Sequence, residues 1–294
     1  MKSKSKGGVA VIVLCSILVL LGIVVLIVSP LVGAVAVIGG ILGIIFGSKS
    51  RKRYKAELQA EEERKAAAEA ARKEAAERRK QKAAEFAAAL VDIPRVEIQR
   101  AEDFAKRRKD KYYPKLANIT SRTDVQKLFP LVVVDVETTG LKPANNDIIE
   151  VSAIKYASPF VPVSCFTTLC KPRHSIPADA SSVNHITDDM VAGAPAFSEI
   201  AAGLSEFIRD CNIVGQNVEF DTDFLYASGV DLPETRYFDT CQLARYVDKD
   251  LPNYKLETLL NSYGIVRDTA HRSLSDAYAT GLLFEKLVQE KRTN

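Results

Sequence analysis

Asp135 and Glu137 interrupt a run of valines in "VVVDVETTG", Val132 to Gly140. Strand side chains alternate between faces, so the two carboxylates share one face, roughly 7 Å apart along the chain. Burying an unpaired carboxylate costs several kcal/mol, and two neighbours also repel. Such a pair calls for an arginine, a bound cation, or a strand whose acidic end is solvated. More acids recur in suggestive settings. "IVGQNVEFDTDFL" runs from a strand into a helix that begins near Asp221, which that aspartate could cap. "HRSLSDAYATGLLF" sets His271 ahead of a helix whose Ser273 and Asp276 fit a capping-box-like start. Each of these settings alone is ordinary.

Several elements must bring these groups together. From Leu131 the pattern predicts strands at 131–138, 148–157, 164–171, 211–218 and 236–240. Helices are predicted near 198–210, 221–228, 241–248, 255–263 and 274–291. The first three strands follow one another and the later ones alternate with helices. That order implies a mixed five-stranded sheet with helices on its faces, an α/β fold. No glycine-rich phosphate loop follows the first strand, which excludes a Rossmann-type nucleotide site.

Charge is divided along the chain. Residues 1–50 carry four lysines and no acid, residues 51–130 a net +8, and residues 131–294 a net −9, giving +3 overall. An acidic domain that acts on an anionic substrate needs a cation. The five cysteines, Cys15, Cys165, Cys170, Cys211 and Cys241, are scattered without a C-x-x-C pair, so neither a zinc site nor a disulfide framework is indicated.

No residue from Gly7 to Ser48 is charged, about twice the length of one membrane helix, and Ser29-Pro30 divides the run. Residues 1–50 are therefore expected to form a membrane-anchoring helical hairpin, with its apolar part at 8–47. Gly39, Gly43 and Gly47 form a small-residue stripe for close helix approach. Lysines and arginines flank both ends, which places both ends and the C-terminal globular domain in the cytoplasm of a multi-pass cell-membrane protein. The run is too long for a signal peptide and is followed by a basic cluster. Residues 51–93 are expected to be a charged, alanine-rich helical linker with favourable pairs such as Glu61–Lys65. Residues 94–130 read as a basic connecting segment that includes "KRRKDKYYPK". Residues 131–294 are the globular domain.

Taken in order, "DVETTG", "QNVEFD" and "HRSLSD" resemble the three motifs of the DEDDh, or DnaQ-like, 3′–5′ exonucleases. "VNHITDDMVAGAPAFSEI", "FDTCQLAR" and "YKLETLLNSYGI" match between them. The resemblance implies a ribonuclease H-like fold and metal-dependent phosphodiester hydrolysis releasing nucleoside 5′-monophosphates. Asp135, Glu137, Asp221 and Asp276 match the four acidic positions that hold two Mg²⁺ or Mn²⁺ ions, and His271 matches the general base. Thr138, Gly140, Leu141, Asn217 and Phe220 fall where substrate is contacted. The implied partners are a nucleic-acid 3′ end, single-stranded and DNA favoured, the membrane, and unidentified replication or repair proteins. RNA trimming is the alternative within the class. A membrane scaffold whose domain only binds nucleic acid is the alternative outside it. Two departures stand out: Gln216 replaces the histidine usual before Asn217, and His185 stands where many relatives have glycine.

Overall fold

The computed structural model describes residues 12–21, 30–101 and 111–293. Residues 1–78 and 79–294 form two units.

In the second unit, the valine run forms β1 (Leu131–Thr138), with β2 (Ile148–Ala157), β3 (Val161–Leu169), β4 (Asn212–Gly215) and β5 (Tyr237–Asp239) around it. The five strands lie in the order β3-β2-β1-β4-β5. β1 runs antiparallel to β2 and parallel to β4, and β4 runs parallel to β5. This is the mixed sheet expected, with β3, β4 and β5 shifted or shortened at their ends. α5 (Phe197–Ile208), α6 (Val218–Ala227), α7 (Thr240–Val247), α8 (Leu256–Ser262) and α9 (Ser273–Thr293) follow the expected order. The short helices α3 (Ala178–Asn184) and α4 (Asp188–Val191) have no counterpart in the sequence reading, being too brief for a periodic signal.

Strand alternation sorts β1 between two cores. Val132, Val134 and Val136 pack with Ile200, Leu204 and Phe224 of α5 and α6. Leu131 and Val133 pack with Leu283, Phe284 and Leu287 of α9. Asp135 and Glu137 continue the second series, so the side of the sheet covered by α9 also carries the carboxylates. α9 lies close because Gly281 faces Tyr156 of β2. A methyl group there would come within 2.3 Å of the Tyr156 hydroxyl.

The segment read as a connector, 94–130, closes the sheet. Val96 N–H donates to Cys165 O, and Cys165 N–H donates to Pro94 O, both at 2.7 Å, along the outer edge of β3. Ala117 N–H donates to Tyr237 O at 2.7 Å along the outer edge of β5. Residues 94–96 and 115–117 therefore each pair with one sheet edge, and such edges otherwise offer unpaired backbone groups to other molecules. Phe86 and Ile93 add to the α9-side core, and Phe86 packs edge-on against Tyr278 with ring centroids 4.9 Å apart. A fragment beginning at residue 120 is expected to melt lower and self-associate, while one beginning at 79 stays monomeric. Thermal melts with light scattering check this, and equal behaviour of the two fragments refutes it.

In the first unit, α1 (12–21) precedes residues 30–78 of α2, the helix Pro30–Asp92. Of the hairpin expected over 8–47, residues 8–11 and 22–29 lie outside the described residues. Among the described residues, no helix is long and apolar enough to cross a membrane. The two helices do pack on glycines: a side chain on Gly40 or Gly43 would strike Val19 or Cys15. Gly40 takes the place expected of Gly39, which would meet nothing within 4 Å. With 3.6 residues per turn, a strict spacing of four drifts off the contact line, whereas three followed by four stays on it.

Candidate active site

Asp135 and Glu137 are the two partly buried positions of the otherwise buried β1. They open into a cleft of about 900 Å³ that Asp221, Asp276, His271, Asn217 and Phe220 also line. The four carboxylates and the imidazole that the sequence singled out thus meet at one site.

Each is held by a local device. Asp221, expected as one of the four site acids with helix capping as its plainer alternative, does not cap the helix. α6 instead starts at Val218, after Asn217 in left-handed backbone (φ 58°). The N–H of Val218 donates to Asp239, 21 residues away in sequence (3.2 Å). That leaves Asp221 inside the first turn, where its Oδ1 accepts the Val136 N–H of β1 at 3.0 Å. Asp276 sits in the first turn of α9, and its Oδ2 accepts the His271 N–H at 3.2 Å. The bend this closes places His271 in left-handed backbone (φ 56°) with an exposed side chain.

Three residues that the sequence reading passed over complete the site. Glu150 faces Glu137 across the β1–β2 ladder and is buried. Arg272 donates to it at 2.7 Å and Ser273 N–H at 2.8 Å, so Glu150 fastens the start of α9 to the sheet. The available signal was the lone acid in the apolar run "IIEVSAI". Arg267, nearly buried, donates through Nη1 to Asp276 and through Nη2 to Glu257 at 2.9 Å.

The electrostatics are those of crowded acids. Burial, then the charges of Asp221, Asp276 and Glu137, hold the Asp135 carboxyl well above the usual range. Burial, then Asp276 and Glu150, push Glu137 up to about 8. Burial pushes Asp221 up to about 8 against the hydrogen bond from Val136. Burial also raises Asp276, although Arg267 opposes the shift. A carboxyl that holds its proton more tightly folded than unfolded contributes most stability below its unfolded pKa. That contribution is lost as pH rises toward the folded value. The metal-free protein is therefore expected to lose stability between about pH 4 and 8 from Glu137 and Asp221. Melting in EDTA across that range checks it, and a rising or level curve refutes it.

A divalent cation relieves the same repulsion. The ligand atoms of Glu137, His271 and Asp276 all lie within 4.8 Å of one another. A donor set of carboxylate oxygens with one imidazole fits a hard or borderline divalent ion.

The remaining expected contacts divide. Asn217 and Phe220 line the cleft. Thr138 ends β1, Gly140 and Leu141 lie on the turn after it, and none of the three is among the cleft's lining residues. Thr138 Oγ1 donates to Gly140 O at 2.7 Å, and Leu141 is 82% exposed. His185 ends α3 in left-handed backbone (φ 59°), a conformation glycine adopts without strain. Gln216 donates through Nε2 to Tyr254 O at 2.7 Å and accepts from Thr240 Oγ1.

A mixed sheet carrying acids at the end of its central strand, closed by acids from two helices, defines a ribonuclease H-like nuclease fold. The exonuclease family profile (RNase T) matches residues 132–284, just over half of the chain, and the chain belongs to that family. Its domain is a DnaQ-like 3′–5′ exonuclease domain. DNA polymerase III subunit epsilon of Treponema pallidum (strain Nichols) is 35% identical over 161 residues, 52% of this chain and 74% of that protein. The PolC-type DNA polymerase III of Latilactobacillus sakei subsp. sakei (strain 23K) is 35% identical over 177 residues, 59% of this chain. The chain spans only about 12% of the length of that relative. Exonuclease I of E. coli, solved in complex with a dT13 oligonucleotide, shares the fold. Its TM-score is 0.50 at 22% identity, over 55% of this chain and 42% of that one.

Proposed function

We propose that this protein is a membrane-anchored, divalent-metal-dependent 3′–5′ exonuclease that releases nucleoside 5′-monophosphates, with DNA as the favoured substrate. The observation that carries the reading is the meeting of Asp135, Glu137, Asp221, Asp276 and His271 in one cleft. Glu137, Asp276 and Asp135 would hold two Mg²⁺ or Mn²⁺ ions, with Asp221 assisting. Bound there, the ions supply charge stabilisation to the attacking and leaving oxygens of the phosphodiester. Asp221 keeps β1 and α6 in register through the Val136 N–H, so the strand and helix acids stay together. Glu150 and Arg272 do the same for α9. His271, exposed at the rim, takes the proton from the attacking water. Asn217 and Phe220 flank the position of the terminal nucleotide.

DNA is favoured because the relatives named above are DNA polymerase components and the fold neighbour was solved with a deoxyoligonucleotide. The anchor is supported by the uncharged run from Gly7 to Ser48, its basic flanks, and the packing of α1 on Gly40 and Gly43. On this reading the nuclease domain faces the cytoplasm. The test incubates the protein with matched single- and double-stranded DNA and RNA, end-labelled, with Mg²⁺, Mn²⁺ or EDTA. Metal-dependent loss from the 3′ end is expected, fastest on single-stranded DNA. Degradation that persists in EDTA, or that starts at the 5′ end, overturns the reading. Carbonate extraction of membranes tests the anchor, and release into the supernatant counts against it.

A further inference from the structure

The cleft has a second, positive end. Arg245 and Lys255 line it along with the carboxylates. Among the described residues, neither side chain pairs with an acid: Arg245 reaches Cys241 Sγ at 3.8 Å, and its guanidinium lies 5.0 Å over the Tyr254 ring. The third basic side chain of the cleft, Arg267, is already engaged by Asp276 and Glu257. Arg245 rides on α7, directly after β5, and β5 lies two strands from β1. At the usual strand spacing β5 lies about 10 Å from β1.

This end is fixed in place. The Tyr254 hydroxyl donates to Asp248 O at 3.0 Å, and the Tyr254 carbonyl accepts from Gln216 Nε2 at 2.7 Å. The ring is thus pinned through its tip and its backbone, and Arg245 stacks on it. Asn253 accepts the Lys255 N–H at 3.1 Å and the Thr258 hydroxyl at 2.8 Å, which sets the start of α8. A stacked guanidinium keeps its N–H edge available for a bidentate contact with a planar or tetrahedral anion. Two unpaired cations on a rigid platform fit the regularly spaced charges of a polyanion.

We propose that Arg245 and Lys255 hold the phosphates on the 5′ side of the scissile one, so that the cleft grips a strand rather than a single nucleotide. The assignment rests on the exonuclease reading and deepens it. The anionic end of the cleft takes the reacting phosphate with its cations, and the cationic end takes the next ones directly. Gln216 acts as a positioning residue by anchoring the Tyr254 carbonyl. A mononucleotide product has no phosphate for this end and leaves, whereas the shortened strand keeps its grip.

The test measures steady-state hydrolysis of single-stranded oligodeoxynucleotides by the full chain and its Arg245→Ala/Lys255→Ala variant. Length is increased from the dinucleotide upward, and salt is varied. For the wild type, KM should fall as the strand lengthens. In the variant that gain should vanish, with KM on longer strands raised roughly tenfold or more for each lost charged contact. kcat at saturation should hold. The slope of log(kcat/KM) against log salt should become shallower by about 1.4 for two phosphate contacts on a single strand. Arg245→Lys, with Lys255 intact, should keep the wild-type slope. A variant with unchanged KM and slope overturns the assignment, as does one in which kcat falls while the slope stays. The nitrophenyl ester of thymidine 5′-monophosphate separates the two levels. If the wild type cleaves neither ester nor oligonucleotide, the exonuclease reading falls and this assignment with it. If it cleaves both and the variant matches it, only the assignment falls.

Discussion

Asp135→Asn is expected to abolish turnover and, in EDTA, to raise the melting temperature. The two effects share one cause. Asp135 lies where burial and the charges of Asp221, Asp276 and Glu137 all disfavour its ionised form. Replacing the carboxylate by an amide of the same shape removes that conflict and provides a donor to the remaining acids. Each kcal/mol gained raises the melting temperature of a domain this size by roughly 3 °C. The same substitution removes a charge from the cation site. Several kcal/mol of transition-state stabilisation are then lost, and about 1.4 kcal/mol is worth a factor of ten in rate. Turnover should fall by at least about 10³-fold. In saturating Mg²⁺ the stability order should reverse, because a ligand that binds only the folded state stabilises the chain that binds it. Near-normal turnover shows that Asp135 lies outside the reaction. A lower melting temperature in EDTA shows that its charge is not in conflict with its neighbours.

The acids on β1 were legible because strand alternation is a local rule with a period of two residues. It put Asp135 and Glu137 on one face, and the packing of Leu131 and Val133 shows which face that is. The order of strands and helices was legible for the same reason. What escaped was non-local. Asp221 was legible as a site acid, but what holds it was not, and its neighbours alone also allowed a helix cap. The capping oxygen comes from Asp239, and Asp221 reaches Val136 instead, 85 residues away. Glu150 escaped because its partner Arg272 stands 122 residues further on. The edge pairing of residues 94–96 and 115–117 escaped because two backbone bridges leave no mark on side-chain periodicity. Left-handed backbone at His271, Asn217 and His185 is likewise unmarked, since none of them is glycine.

That left-handed bend governs how the histidine must be tested. His271→Asn is expected to retain the fold and lose about 10²–10⁴ in turnover, the usual range for general acid–base catalysis. Alanine is the weaker choice, because positive φ is disfavoured for it, whereas asparagine tolerates that region. The backbone N–H of residue 271 donates to Asp276 whatever the side chain, so the start of α9 survives the change. The side chain itself is exposed at the cleft rim, outside both cores, and its loss creates no cavity. Two roles remain to be separated. As proton acceptor, His271 governs turnover and leaves cation affinity intact. As a ligand beside Glu137 and Asp276, which its ring approaches within 4.8 Å, it governs cation affinity as well. Single-turnover rate at saturating Mn²⁺ and Mn²⁺ affinity, measured on the same variant, distinguish them. A rate loss that persists at saturation with unchanged affinity identifies the base. A rate restored by excess Mn²⁺ identifies a ligand, and a near-normal rate throughout removes His271 from the chemistry altogether. The base assignment is favoured because the four carboxylates already carry enough charge for the cations, while no other imidazole lines the cleft among the described residues. An imidazole nitrogen at the rim can accept a proton without adding to the crowding of acids beneath it.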